Sequence, residues 1–130
     1  MTLDTSAVLA LLNRKDQDHQ RIKEAIFSAN TGYRIPIGIL AEIAYLIETR
    51  FGTKMLDLFI SDLLDGIFTL EFEQQDLTRA QILVNRYANL LLGLSDALVI
   101  ACAERNGGLV ISLDRHFWVV AGENTITVRP

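Results

Sequence analysis

The chain of 130 residues has one cysteine, Cys102, so no internal disulfide can form, and that usage points to a reducing cytoplasm. Proline occurs twice and glycine eight times, too rarely for a disordered or fibrous chain. Half of the residues are hydrophobic, which suits a globular domain with a sizeable core. No apolar stretch free of charge is long enough to cross a bilayer. No basic segment precedes an apolar run at the N-terminus, which argues against a secretory signal. Positive charge is also in short supply. The 12 Lys and Arg stand against 16 Asp and Glu, a net charge of −4, whereas a dedicated nucleic-acid binder usually carries a basic excess. This last absence excludes little if several acids are gathered around a metal ion.

What is present is an alternation of apolar runs and amphipathic stretches. Residues 1–3 are a short apolar start that ends at Asp4, and with so few residues this strand should be frayed. "TSAVLALLNR" predicts a helix with Thr5 or Ser6 as N-cap. "DQDHQRIKEAIFSAN" carries Ile22, Ala25, Ile26 and Ala29 at helical spacing and should end at 30–32. "YRIPIG" predicts a brief strand over 33–37, with Pro36 near its end. "ILAEIAYLIETRFG" predicts a helix that stops before Gly52, and "TKMLDLFISDLLDG" another with Thr53 as cap and Gly66 as stop. "IFTLEF" reads as a strand. "QQDLTRAQILVNRYANLL" reads as helix from about Asp76, and "LSDALVIACAERNGG" as a helix capped by Ser95 and ended by the glycines at 107–108. "LVISL" and a final short "TITV" read as strands. The predicted order β-α-α-β-α-α-β-α-α-β-β implies one domain over 1–130, an α/β three-layer sandwich with a mostly parallel sheet flanked by helices.

In an open parallel sheet, ligands bind beyond the carboxyl ends of the strands. Four acids fall at such places. Asp4 ends the first strand, Asp114 follows the fourth, Asp96 opens a helix one residue after its cap, and Glu42 lies near the start of the helix after the second strand. Each alone has an ordinary reading: Asp4 and Asp96 suit a helix N-terminus, whose dipole favours negative charge, Asp114 suits a turn, and Glu42 a helix surface. Glu42 resists its ordinary reading, because "GILAEIAYLI" surrounds it with apolar groups and should keep it from water. Four carboxylates gathered without counter-charge would raise one another's pKa. A hard divalent cation such as Mg2+ or Mn2+ stabilises such a group through oxygen ligation and suits attack of water on a phosphodiester. The four acids are therefore expected to build one metal pocket that Asp114 completes.

These stretches resemble the PIN-domain nucleases, and among them the VapC-type toxins of bacterial and archaeal toxin–antitoxin pairs. The resemblance rests on "LDTSAVLALL" at 3–12, "IPIGILAEIAYLI" at 35–47, "LSDALVIACAERNGG" at 94–108 and "VISLDRHF" at 110–117, and it covers nearly the whole chain. It implies a Rossmann-like sheet and a metal-dependent endoribonuclease. It implies that Asp4 and Asp96 are the principal Mg2+ ligands, that Glu42 and Asp114 complete the acidic quartet, and that the Ser6 hydroxyl orients a ligand or water. It also implies a homodimer and a cognate antitoxin that blocks the pocket, often with an arginine. His116 departs from the pattern: it lies two residues after the fourth acid, where many members carry a further one.

The remaining polar residues have plainer expectations. His116 reads as a loop histidine, against a phosphate contact or proton shuttle. Arg115 could meet RNA phosphates near the pocket or serve as a surface cation. His19 should be solvated, Cys102 a small core residue, and residues 117–119 packing after the pocket. The stretch holding Met55, Leu56, Leu58, Phe59, Ile60, Leu63 and Leu64 has more apolar positions than one buried stripe accommodates. Together with "AYLIETRF" it is expected to form a partner surface, for an antitoxin helix or a second copy. Two rival functions come from other classes. A catalytically inactive binding or regulatory module on the same fold is opposed by the intact quartet. A phosphotransfer protein with a nucleophilic aspartate would want an acid at position 6 or a lysine after a late strand, and the chain has neither.

Overall fold

The computed structural model describes residues 1–29, 32–121 and 123–130. Among them, five strands form one sheet: β1 (Thr2–Leu3), β2 (Tyr33–Pro36), β3 (Phe68–Glu71), β4 (Leu109–Ile111) and β5 (Thr127–Arg129). The order is β3-β2-β1-β4-β5, and every neighbouring pair is parallel. Helices α1 (Thr5–Leu12), α2 (His19–Ala29), α3 (Leu40–Phe51), α4 (Thr53–Leu64), α5 (Gln75–Arg86), α6 (Leu94–Arg105) and α7 (His116–Ala121) make the connections. The chain steps from β1 through β2 to β3 in one direction and then returns past β1 to β4 and β5. Right-handed crossovers therefore lay α1–α4 over one face of the sheet and α5–α7 over the other. A sheet covered on both faces needs continuous apolar strands, and Leu3, Ile35, Val110 and Ile111 are all fully buried. They join Ile22, Ile43, Ile47 and Phe59 from one helical layer, and Leu83, Ile100 and Phe117 from the other, in one core. No helix among the described residues is long and apolar enough to cross a membrane.

Several local expectations change. The short first strand is not frayed: β1 is the central strand, Thr2 pairs with both Arg34 and Val110, and the Met1 ammonium donates to the Gly32 carbonyl at 2.9 Å. Two residues suffice because both neighbours hold them. Helix α7 was not legible, since six residues with only Phe117 and Val120 buried are too few for a helical period to show. The caps also move. Asp4, not Thr5 or Ser6, caps α1, with an extended backbone and a carboxylate that accepts from the Ala7 N–H at 2.9 Å. Thr53 lies inside α4, its hydroxyl donating to Glu48, because Gly52 at φ 94° makes the turn between α3 and α4. Ser95 lies inside the first turn of α6, which starts after Gly93. Helix α5 stops at Arg86 and gives way to a 3-10 turn at Ala88–Leu90. The expected end of α2 falls partly on residues 30 and 31, outside the described residues. Pro36 does close β2, and the chain then turns through Ile37–Ile39 into α3.

Candidate active site

The point where the strand order reverses lies between β1 and β4, and this is where such sheets open a crevice. Pairing of Leu3 with Ile111 brings the next residues, Asp4 and Ser112, side by side. The buried Ser112 hydroxyl donates to Asp4 Oδ2 at 2.6 Å. Asp4 Oδ1 accepts from the Ser6 hydroxyl at 2.8 Å and from the Ala7 N–H. Ser6 Oγ in turn accepts from the Leu113 N–H at 2.9 Å, and Ser112 Oγ from the Asp114 N–H at 2.8 Å. Two hydroxyls thus tie the end of β1 to the loop after β4 and fix the Asp4 carboxylate, which is 6 % exposed. Ser6 orients a carboxylate here. Ser112 was passed over in the sequence, although a serine inside the apolar run "LVISL" was the available signal.

Beyond Asp4 opens a cleft of about 300 Å³. Glu42 enters from the first turn of α3, Asp96 from the first turn of α6, and Asp114 from the loop between β4 and α7. All four acids therefore line one cleft, and Asp16 and Arg50, not singled out in the sequence, line it too. Gly38, in the turn before α3, lets α6 pack close, for a Cβ there would meet Leu98 Cδ1 at 2.5 Å. The reading of Glu42 as kept from water fails, because Glu42 is exposed. At 100° per residue its apolar neighbours Ile43 and Ile47 turn to the core, and Tyr45 points outward, so none covers it. Arg115 is exposed and is not among the residues lining the cleft. His116 is no loop residue. It opens α7 with its Nδ1 3.7 Å from Asp96 Oδ2 and 3.6 Å from Asp114 Oδ1.

Residues 1–123 match the PIN domain family. The chain belongs to that family. Its similarity extends to ribonuclease VapC26 of Mycobacterium tuberculosis, 29% identical over 120 residues that cover 90% of this chain and 89% of that protein. The crystal structure of Mycobacterium tuberculosis VapC20, described as a sarcin–ricin loop cleaving toxin, has a TM-score of 0.81 at 21% identity and covers 99% of this chain and 98% of its own. FitAcB from Neisseria gonorrhoeae has a TM-score of 0.68 at 16% identity, over 99% and 96%. At these identities the two structures share the fold with this PIN domain.

The electrostatics of the PIN-domain cleft are lopsided. Among the described residues, none of Asp4, Asp16, Glu42, Asp96 and Asp114 has an Arg or Lys at ion-pair distance; only His116 approaches two of them. Burial pushes the Asp4 carboxyl up to about 6, and its hydrogen bonds from Ser112, Ala7 and Ser6 offset only part of that. Asp96 is also raised, by burial first and then by the charge of Asp114. Carboxylates from four stretches of chain line the cleft, and among the described residues Asp96, Asp114 and His116 bring donor atoms within 4.8 Å of one another, a spacing that a hard divalent cation can use.

Proposed function

We propose that this PIN domain is a divalent-metal-dependent endoribonuclease, with Mg2+ or Mn2+ as cofactor, and that it serves as the toxin of a toxin–antitoxin pair. The observation that carries the reading is the convergence of Asp4, Glu42, Asp96 and Asp114 on one cleft without a cationic partner from Lys or Arg, in a chain similar to a ribonuclease. Asp4 and Asp96 would hold the cation, with Glu42 and Asp114 completing its surroundings. A cation bound there would offset phosphate charge, favour deprotonation of the attacking water and steady the leaving oxygen.

The chain's own residues prepare that chemistry. Asp4 Oδ1 already accepts two hydrogen bonds and Oδ2 one, so the remaining acceptor capacity lies on Oδ2. Ser6 and Ser112 spare Asp4 the cost of ordering its side chain on binding. Glu42, exposed to water, can accept a proton from the attacking water. Arg50 in the cleft, and Arg115 beside it, can contact RNA phosphates. On this reading the protein is a cytoplasmic homodimer held in check by an antitoxin. Exposed apolar side chains on α3 and α4, Tyr45 at 68 % and Leu64 at 82 % together with Leu58 and Ile60, offer apolar surface for a partner.

Cleavage of RNA by the purified protein should need Mg2+ or Mn2+ and should be lost in Asp96→Asn with the fold intact. Full cleavage in excess EDTA would remove the metal-dependent reading. Expression in a bacterial host should arrest growth, with relief by Asp4→Ala. Equal growth of both strains would remove the toxin role and leave the nuclease to be judged by the first assay.

A further inference from the structure

We propose that His116 is a nitrogen ligand of the cation in the cleft, and that it tilts the site towards Mn2+ and similar transition ions over Mg2+. The inference deepens the reading of the cleft as a divalent-cation site and rests on it. Its first support is position. Phe117 and Val120 anchor α7 in the core, and the His116 N–H donates to Asp114 Oδ1 at 2.9 Å, so His116 is fixed beside Asp114, a residue that lines the cleft. Its second support is spacing. Donor atoms of Asp96, Asp114 and His116 all lie within 4.8 Å of one another. Ligands of one octahedral ion with bonds near 2.1 Å sit about 3 Å apart when adjacent and about 4.2 Å when opposite. The separations of 3.7 and 3.6 Å from Nδ1 fall between these, and both are too long for a hydrogen bond. The imidazole thus stands between two carboxylates at ion-pair distance, with a hydrogen bond to neither.

The donor's chemistry sets the preference. Carboxylates and water suit Mg2+ and Mn2+ alike, whereas imidazole nitrogen favours the transition ion. A carboxylate at position 116 would make the site all-oxygen.

The chain has two histidines, and His19 Nδ1 already contacts the Ala10 carbonyl at 2.8 Å, so a nitrogen signal from a bound ion is assignable. Pulsed electron paramagnetic resonance on the untagged protein, loaded with substoichiometric Mn2+ in nitrogen-free buffer, should show 14N coupling that disappears in His116→Gln. Calorimetric titration with each metal should show the Mn2+ over Mg2+ preference falling about tenfold in His116→Asp. Mn2+ bound to the wild type without 14N coupling would overturn the role of His116 and leave the cation site standing. A wild type that binds no Mn2+ would overturn both.

Discussion

Asp4 and Asp76 are both almost wholly buried carboxylates, yet the chain treats them in opposite ways. Asp76, in the first turn of α5, receives both arms of the Arg105 guanidinium at 2.6 and 2.8 Å. Around it the pairing continues: Arg79 grips Glu104 at 2.9 and 3.1 Å, and Arg86 grips Glu123 at 2.7 and 2.8 Å. Asp4 receives hydroxyls and one backbone N–H, and its cleft gathers further acids with no such arginine. The pKa directions follow. Hydrogen bonds from Tyr87 and Arg86 hold the Glu123 carboxyl below the usual range, while burial lifts Asp4 to about 6. The fold can neutralise its own acids and does so between α5 and α6. It withholds that treatment in the cleft, where a cation from outside would do the same work.

Exchanging the damage between the two regions should separate activity from stability. On the proposed function, Asp4→Asn replaces a carboxylate ligand by a neutral amide at a cation worth several kcal/mol to the transition state, and should cut RNA cleavage by roughly 10³-fold or more. It should leave the metal-free melting temperature at pH 7.5 unchanged or higher. Arg105→Ala leaves Asp76 buried without its partner and should cost about 3–5 kcal/mol in urea unfolding. Cleavage by the molecules that remain folded should be retained. If Asp4→Asn destabilises as much as Arg105→Ala does, the contrast between the two regions is false.

The same contrast has a pH signature in the metal-free protein. A carboxyl that titrates near 6 when folded and near 4 when unfolded binds its proton more tightly in the folded state. The stability it contributes is fully present below about pH 4 and is lost as pH rises through about 6, a loss of roughly 2–3 kcal/mol. Asp96 moves in the same direction, and Glu123, lowered by its partners, in the opposite one. Comparing wild type with Asp4→Asn in EDTA between pH 4 and 7.5 isolates the first contribution. The wild type should lose stability relative to the variant across that window, and parallel curves would show that Asp4 is not the titrating group.

Much of this was legible because parallel sheets write plainly in sequence. Apolar runs with acids at their ends gave the element order up to β4, and Asp4, Glu42, Asp96 and Asp114 could be named without coordinates. What escaped depends on contacts across long separations. Ser112 matters through its hydrogen bond to a residue 108 positions away. Arg50 lies at the far end of α3 from Glu42, yet both line the cleft. Helix α7 is shorter than the pattern that would reveal it, so His116 looked like part of a loop. The exposure of Glu42 was misjudged because neighbours in sequence are not neighbours on a helix.

Arg50 offers the finest test of the contrast. It lines the acidic cleft, and among the described residues its guanidinium has no carboxylate at ion-pair distance, whereas Arg79, Arg86 and Arg105 are all engaged. A cation left unpaired beside acids is available to an anionic substrate. If it meets one RNA phosphate, Arg50→Ala should weaken binding of a short single-stranded RNA by roughly 3–5-fold, with Ca2+ present to occupy the oxygen site. The slope of log affinity against log salt should fall by about 0.7, the share of one single-strand phosphate contact. Arg86→Ala, which removes a partnered arginine between α5 and the loop before β5, should change neither quantity. Fluorescence anisotropy across a salt series reads both. An unchanged slope in Arg50→Ala would mean that this arginine serves the cleft's own acids, and the division between a region that balances its charge and one that does not would then be narrower.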